Sequence, residues 1–334
     1  MNSMNRCTRC ILPETFPGIR FNKEGVCNFC LEFKGTDHLE DKMTEYKCRF
    51  MKLIDKYKGK SDYDALMCYS GGKDSTYTGI ILKNEYKLDI LAVTFDNGFI
   101  SEQALRNIRT VVENLGIDHI IVRPRFDILK RIFRESGNGN LFPSKTIERA
   151  SVICTSCMGL IKYHALRMAI EKNIPFVAYG WSPGQAPITS SIMKNNPQMT
   201  KMMQESIYKP LHTIVGDAIN PYFLEEEHFS GSHPFPHTIH PLAFLGYDEE
   251  KIYETIHEYG WKAPKDTDAN STNCLLNSYA NIVHKEQFHF HPYSLELANL
   301  VREGYLDREL AIERIDKIEA PETVALVRRR LGIE

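Results

Sequence analysis

The middle of the chain alternates between short apolar runs and longer segments whose apolar residues recur at helical spacing. Four runs predict strands: 64–69, 89–95, 119–123 and 175–180. The segments between them predict helices: 75–85, 101–115, 126–136 and 156–172. Runs that are apolar throughout are typical of strands buried on both faces of a parallel sheet, with helices covering those faces. The pattern therefore predicts an α/β fold with a doubly wound parallel sheet.

The flanking segments follow other patterns. Residues 38–60 are polar with apolar positions at helical spacing, which predicts a connector helix packed on the main domain. Residues 181–240 are rich in Pro, Gly, Ser, Met and His with weak periodicity, so we expect helices and loops that form a lid or substrate wall. Helices are also predicted in five segments towards the C-terminus: 248–259, 275–286, 293–303, 307–317 and 321–331.

These patterns divide the chain into four predicted parts. The first is a cysteine-containing module at 1–35, and the second is the connector at 36–62. The sheet domain occupies 63–245, and a helical C-terminal region occupies 246–334.

The composition excludes some classes of partner. Of 334 residues, 43% are apolar and 25% are charged, as in an ordinary globular protein. The net charge is −2, whereas dedicated nucleic-acid binders usually carry a clear basic excess. No apolar run approaches the roughly 18 residues that span a bilayer, and residues 1–9 contain no hydrophobic signal core. We expect a cytoplasmic protein without a membrane partner, acting on a small molecule rather than on RNA; a homodimer is compatible with the sequence.

The strongest candidate for chemistry directly follows the first predicted strand. It consists of Ser70, Gly71, Gly72, Lys73, Asp74 and Ser75, called the phosphate loop below. Glycines let backbone N–H groups converge on phosphate oxygens, and the following helix adds the positive end of its dipole. The lysine supplies a full charge, and the serines supply hydroxyl donors. The spacing is tighter than in a Walker A loop, which has four residues between its first glycine and its Gly-Lys pair.

This hexapeptide resembles the pyrophosphate loop of the N-type ATP pyrophosphatases. The resemblance implies that ATP is cleaved between its α and β phosphates and that AMP is transferred to a substrate. Lys73 and Mg²⁺ would neutralise charge at the α-phosphate. Asp74 and Asp96, the latter at the end of the second predicted strand, are candidate Mg²⁺ ligands; for Asp96 the alternative is a turn-forming role at 96–98. Gly180, at the end of the last predicted strand, is a candidate nucleotide contact.

Nine cysteines in a chain expected to be cytoplasmic predict metal or redox chemistry rather than disulfides. Four of them form two CxxC pairs: Cys7, Cys10, Cys27 and Cys30. Two such pairs are typical of a tetrahedral four-thiolate zinc site, with a rubredoxin-like iron site as the alternative. Because the protein fills all four positions, we expect a structural Zn²⁺ ion. It would keep folded a zinc-knuckle module at 1–35 that has little core of its own.

Three further cysteines predict a second centre. Cys154 and Cys157 form a CxxC at the start of a predicted helix, and Cys274 lies at a later loop-to-helix junction. Three thiolates without a fourth can hold a [4Fe–4S] cluster with one iron open to exogenous sulfide. Helix N-termini also lower thiol pKa values, which favours ligands or nucleophiles. The alternatives are a redox or persulfide-carrying CxxC without Cys274, and a second zinc site or inert cysteines. The sequence alone does not show that Cys274 lies near Cys154 and Cys157.

Two families resemble different parts of the chain. The segment from Cys7 to Cys30, followed by the phosphate loop, resembles the corresponding segments of the N-acetyl sugar amidotransferases from surface-polysaccharide gene clusters. That resemblance implies activation of a sugar amide by ATP, with ammonia from a glutaminase partner. The order of phosphate loop, central CxxC and one later cysteine is similar to the cluster-dependent thiolation enzymes, whose best-known members modify tRNA uridine or cytidine. That resemblance implies that Cys154, Cys157 and Cys274 are cluster ligands and that a sulfur donor is a partner.

The motifs together predict an ATP-dependent adenylating enzyme. A substrate oxygen attacks the α-phosphate, pyrophosphate leaves, and sulfide then displaces AMP on a small molecule or a tRNA base. The predicted catalytic residues are Lys73, Asp74, Cys154, Cys157 and Cys274. Amidation by ammonia is the alternative reaction, and a non-catalytic ATP-binding interaction module is the alternative class of protein.

Overall fold

One sheet organises the molecule. In the computed structural model, which describes residues 5–139, 141–231 and 234–333, the sheet has six strands. They are β1 (Ala65–Cys68), β2 (Ile90–Phe95), β3 (Asp118–Val122), β4 (Phe176–Tyr179), β5 (Ile192–Lys194) and β6 (His237–Ile239).

Fifteen α-helices accompany the sheet within the described ranges. They are α1 (Asn28–Leu31), α2 (Leu39–Tyr57), α3 (Lys73–Asn84), α4 (Glu102–Leu115), α5 (Phe126–Asn138), α6 (Ser144–Ile147), α7 (Val152–Glu171), α8 (Pro197–Val215), α9 (Glu226–Phe229), α10 (Leu242–Leu245), α11 (Glu249–Glu258), α12 (Leu276–Phe288), α13 (Ser294–Arg302), α14 (Arg308–Asp316) and α15 (Pro321–Leu331). None of these helices has both the length and the apolar character that crossing a bilayer requires.

The strands lie in the order β3-β2-β1-β4-β6-β5, and all neighbours are parallel except β5, which runs antiparallel to β6. On the central strand β1, Cys68 is level with Val93 on one side and Tyr179 on the other. The carboxyl ends of the three central strands therefore meet at one edge, where parallel α/β sheets bind ligands. The predicted α/β class is confirmed, and each of the four predicted strands matches its observed bounds within one residue.

Helices cover both faces of the sheet, as a doubly wound sheet requires. Met67 points into a core formed with α2, α3 and α11. Its neighbour Leu66 points to the opposite face, where Ala165 and Met168 of α7 pack. The connector helix α2 buries Tyr46 and Phe50 against the first of these cores.

Residues 181–240 contain more regular structure than their sequence predicts. The two strands β5 and β6 were missed because three-residue strands are too short to show a period. Helices were expected in this region, but the bounds of the long helix α8 were not predicted because its apolar residues do not form one buried stripe. Met199, Met202 and Met203 of this helix are all exposed.

The N-terminal module packs on the helical C-terminal region. Ile11 and Phe16 share a core with Leu297 and Ile315. The hydroxyl of Thr15 also donates to the His289 carbonyl at 2.6 Å. The module therefore has an apolar core in addition to its four cysteines, and α13 and α14 contribute half of the other buried residues of that core.

Candidate active site

The phosphate loop forms a tight turn between β1 and α3. Gly71 has a φ of +76°, and a Cβ on it would lie within 3.0 Å of the Ile108 side chain and the Ala104 carbonyl. Its own carbonyl accepts a hydrogen bond from Nε1 of the buried Trp261 at 2.9 Å. Glycine is required here by both the backbone angle and the close packing. The turn directs the N-terminus of α3 towards the carboxyl edge of the sheet, as an anion site requires.

Lys73 is surrounded by groups that stabilise its charge. Its Nζ lies 2.8 Å from Asp74 Oδ1, 2.6 Å from the Tyr247 hydroxyl and 3.2 Å from Glu249 Oε1. Burial opposes the charged form, but these three neighbours outweigh it and hold the pKa of Lys73 well above its ordinary value. Arg314 also pairs with Glu249. The ammonium is thus a fixed, permanent charge at the phosphate loop.

Gly180 lies against the phosphate loop itself. A Cβ on Gly180 would fall within 3.0 Å of the backbone of Asp74 and Ser75. This close approach holds the end of β4 against the first turn of α3. The structure thus gives the predicted site residue Gly180 a packing role beside the loop.

We expect Gly180→Ala to destabilise the protein by about 1–3 kcal/mol, the usual cost of an added methyl group in a packed region. Displacement of the first turn of α3 should also weaken ATP binding. Urea unfolding and calorimetric titration with ATP would measure the two effects. Gly79→Ala in α3 is the matched control, because the nearest atom to its new methyl group would be 4.0 Å away; this variant should be neutral or slightly stabilised.

Asp96 shapes the turn after β2. Its Oδ1 accepts from the Gly98 backbone N–H at 2.9 Å, and its Oδ2 accepts from Nε of Arg123 at 2.8 Å. Both carboxylate oxygens therefore already have protein partners. This geometry agrees with the turn-forming alternative, and it leaves Asp74 as the better placed of the two predicted Mg²⁺ ligands.

A distant segment covers the phosphate loop. The Thr272 hydroxyl accepts a hydrogen bond from the Lys73 backbone N–H at 3.0 Å, although the two residues are 199 positions apart. A Cβ on Gly72 would lie 3.1 Å from the same hydroxyl and 3.5 Å from Oδ1 of Asn273. The segment is held against the turn after β2, because the Ser101 N–H donates to the Asn273 carbonyl at 2.9 Å.

This segment also brings Cys274 to the CxxC of α7. Nδ2 of the buried Asn97 lies 3.5 Å from Sγ of Cys157 and 3.5 Å from Sγ of Cys274, so the two sulfurs are at most twice that distance apart. Sγ of Cys154 faces Oδ1 of Asn277, on the helix that follows Cys274, at 3.7 Å. The three predicted cysteines therefore lie close together next to the phosphate loop, in contact with the side chains of Asn97 and Asn277.

The three thiols are not activated by the start of helix α7. Burial raises the pKa of Cys154 to about 12, and it also raises the pKa values of Cys157 and Cys274. The prediction of lowered thiol pKa values was therefore wrong, because loss of water outweighs the helix dipole. A reactive redox CxxC would need thiolates near neutral pH. Binding of a cation among these thiols would favour their thiolate forms.

The spacing of these sulfurs also argues against a second zinc ion. Within the described ranges, only the four N-terminal cysteines form a group of three or more Cys, His, Asp or Glu ligand atoms that all lie within 4.8 Å of one another. Two sulfurs bound to one zinc ion, at about 2.3 Å each, are at most about 4.6 Å apart. The set of Cys154, Cys157 and Cys274 is wider than that, which suits a group larger than a single ion.

The four N-terminal cysteines form a closed centre. Their sulfurs are buried, and the Cys7–Cys30 and Cys10–Cys27 pairs are each separated by 3.8 Å. A tetrahedral ion with metal–sulfur bonds of about 2.3 Å has sulfur–sulfur edges of about 3.8 Å. The donor set and its size therefore fit a single tetrahedral metal ion.

Hydrogen bonds from the surrounding backbone and from helix α14 complete this centre. The Cys27 N–H donates to Sγ of Cys7 at 3.2 Å. Arg308 donates from Nε to the Cys10 carbonyl at 2.9 Å and from Nη2 to the Cys7 carbonyl at 3.0 Å. The C-terminal region thus holds one of the CxxC turns directly.

Several residues at the edge were not found from the sequence. Glu296 of α13 accepts from the Ser182 hydroxyl at 2.8 Å, directly after β4. Burial raises the pKa of Glu296 to about 7, and the nearby charge of Asp74 adds to the increase. Glu249, which lies in the predicted helix 248–259, contacts Lys73. The one sequence signal that could have marked Asn97 as a site residue was its position directly after Asp96.

Comparison with other proteins gives remote similarities. No protein-family model matches the chain. It is 23% identical to uncharacterized protein MJ1599 of Methanocaldococcus jannaschii, over 98% of this chain and 99% of that one. Among solved structures, it is similar to the U34-tRNA thiolase NcsA of Methanococcus maripaludis with its [4Fe–4S] cluster, at 20% identity and TM-score 0.36, covering 100% of this chain and 99% of that one.

Two further solved structures are similar. A predicted subunit of tRNA methyltransferase from Methanocaldococcus jannaschii has 16% identity and TM-score 0.33, with 69% and 91% of the two chains covered. NMN synthetase from Francisella tularensis has 11% identity and TM-score 0.39, with 86% and 95% covered. All of these TM-scores lie below 0.5, so the roles of residues in this site rest on the chain's own geometry.

Proposed function

We propose that this protein is an ATP pyrophosphatase of the pyrophosphate-loop type that adenylates a carbonyl oxygen of a small molecule and replaces that oxygen with sulfur. One observation carries the proposal. Cys157 and Cys274 meet at Asn97, Cys154 lies against Asn277 on the helix that follows Cys274, and the segment that carries Cys274 also contacts the phosphate loop. A nucleotide site and a three-thiol site therefore occupy the same edge of the sheet.

The first half-reaction belongs to the phosphate loop. The substrate oxygen bonds to the α-phosphorus, and the bond from that phosphorus to the bridging oxygen breaks, so that pyrophosphate leaves with the electron pair. Lys73 and the N-terminus of α3 stabilise the negative charge on the leaving group. Asp74 would hold Mg²⁺, which would supply further positive charge for the leaving group. The permanent charge of Lys73 suits this electrostatic role better than proton transfer.

The second half-reaction belongs to the three cysteines. Sulfide adds to the adenylated carbon, and AMP leaves as the carbon–sulfur double bond forms. Three thiolates would hold a [4Fe–4S] cluster, which would supply a binding site for exogenous sulfide. The chain contributes Cys154, Cys157 and Cys274 as the ligands, and Asn97 donates hydrogen bonds to two of their sulfurs. Hydrogen bonds to sulfur of this kind tune such centres.

The N-terminal centre has a structural role in this proposal. Four buried sulfurs at tetrahedral spacing bind Zn²⁺ and leave no position for a substrate. The module that carries this centre packs against α13 and α14.

Amidation is the second candidate. The observation that favours it is the N-terminal module, whose motif resembles the sugar amidotransferases. In that reaction ammonia from a glutaminase partner attacks the adenylated carbon, and the three central thiols remain free of iron.

Metal analysis of anaerobically purified protein tests the proposal. We expect about four irons and four sulfides per chain and a broad absorption band near about 400 nm, typical of a [4Fe–4S] protein. Cys274→Ser should lose most of the iron and the band, because it removes one of three ligands. Incubation with ATP, Mg²⁺ and a metabolite extract should yield AMP and pyrophosphate.

Cys48→Ser is the matched control, since Cys48 is exposed on α2 and belongs to neither centre. Wild-type protein that contains zinc but neither iron nor sulfide would contradict thiolation and favour amidation. Protein that binds ATP without releasing pyrophosphate would instead support a non-catalytic interaction module.

A further inference from the structure

We propose that Thr272 is a positioning residue that couples occupancy of the phosphate loop to the placement of Cys274. The inference extends the proposed function, on which it depends only for the identity of the phosphate ligand. It starts from one hydrogen bond, in which the Lys73 backbone N–H donates to the Thr272 hydroxyl at 3.0 Å.

That N–H belongs to the first turn of α3, where backbone N–H groups have no acceptor within the helix. Gly72 at the N-cap position has no side chain to fill the role. Thr272 supplies the acceptor instead. A phosphate oxygen seated on the loop needs the same N–H, and one N–H cannot donate fully to two acceptors. A bound phosphate and the present position of Thr272 therefore compete.

Displacement of Thr272 would be transmitted along a short, constrained connection. Asn273 and Cys274 follow directly, and Cys274 pairs with Ile100 in an isolated antiparallel bridge. The Leu275 N–H donates to the Phe99 carbonyl at 2.8 Å. Cys274 is only two residues from Thr272, so a displacement of Thr272 that loosens these bonds would move the Cys274 sulfur relative to Asn97.

The coupling would order the two half-reactions. With an empty loop, Thr272 is bound to Lys73 and Cys274 is held beside Asn97. With pyrophosphate in place, Thr272 is released and Cys274 becomes more accessible. Thermodynamic linkage then requires that a change at Cys274 alters pyrophosphate affinity by the same factor.

Alkylation of the full-length protein, prepared without the proposed cluster so that the three cysteines carry free thiols, measures this coupling. Iodoacetamide modification of each cysteine is followed by peptide mass spectrometry, with and without Mg²⁺-pyrophosphate. The exposed Cys48 serves as the internal reference. We expect pyrophosphate to accelerate alkylation of Cys274 by at least about 5-fold relative to Cys48, the lower end of the usual range for coupled sites.

Thr272→Val keeps the shape of the side chain but removes the acceptor. Its Cys274 should react quickly without pyrophosphate and should no longer respond when pyrophosphate is added. Thr272→Ser keeps the hydroxyl and should behave as wild type. Thr267→Val is the matched control in the same loop, and it should also behave as wild type.

The outcomes separate this inference from the proposed function. A wild-type Cys274 that is unresponsive while calorimetry shows pyrophosphate binding overturns the coupling and leaves the proposed function intact. Protein that does not bind pyrophosphate contradicts the proposed function. In that case the rates of Cys274 alkylation without pyrophosphate still test the role of Thr272. Equal rates in wild type and Thr272→Val would exclude that role.

Discussion

Lys73→Met should lower the rate of pyrophosphate formation by about 10²–10³-fold, the usual effect of removing one group that stabilises developing charge. The methionine side chain is unbranched like that of lysine and nearly as long, but it carries no charge. The leaving pyrophosphate would then depend on Mg²⁺ and backbone N–H groups alone. Product analysis of ATP turnover by anion-exchange chromatography measures the effect directly.

The substitution also removes the partner of Asp74 and Glu249, so folding must be checked by circular dichroism and thermal unfolding. Glu249 keeps its contact with Arg314, which should limit the loss of stability. Lys83→Met is the matched control on the same helix, because Lys83 pairs with Asp89 away from the loop. Unchanged turnover in a folded Lys73→Met variant, or ADP with orthophosphate as wild-type products, would refute the assigned role.

The sheet and its ligand-binding edge could be predicted because their signals are local. Each central strand is a continuous apolar run, and the loop of Gly71 and Gly72 follows the first run directly. The parallel arrangement then places the ends of β1, β2 and β4 at one edge. These conclusions need no contact between distant parts of the chain.

The contacts that complete the site could not be predicted because they depend on long-range packing. Nothing near Thr272 in the sequence indicates that its hydroxyl reaches Lys73. The approach of Cys274 to Cys157 also depends on how the segment before α12 folds over the turn after β2. Asn97, which touches both sulfurs, carries no sequence signal beyond its position after a strand.

The thiol pKa values show a different limit. A helix N-terminus next to Cys154 is a local feature, and it predicts a lowered pKa. Burial depends on the whole fold, and it raises the pKa of Cys154 to about 12. A titration behaviour set by desolvation cannot be read from a motif.

Cys27→Ser should remove the Zn²⁺ ion proposed for the N-terminal centre and destabilise the protein by more than about 4 kcal/mol, the range reached by loss of a structural metal. Structural zinc contributes about 10–16 kcal/mol in small zinc-finger peptides. Here the module also shares an apolar core with α13 and α14, so the loss should be smaller than in those peptides. Zinc content by mass spectrometry and urea unfolding measure the two effects.

The loss of zinc should spread into the C-terminal helices, because Arg308 donates to the carbonyls of Cys7 and Cys10. Hydrogen exchange should therefore accelerate in α14 as well as in residues 5–31. Cys48→Ser removes an exposed cysteine and should change neither zinc content nor stability. If Cys27→Ser kept the wild-type stability, the apolar core alone would hold the module, and the metal would need another role. Destabilisation confined to residues 5–31 would instead show that the contacts of Arg308 do not depend on the ion.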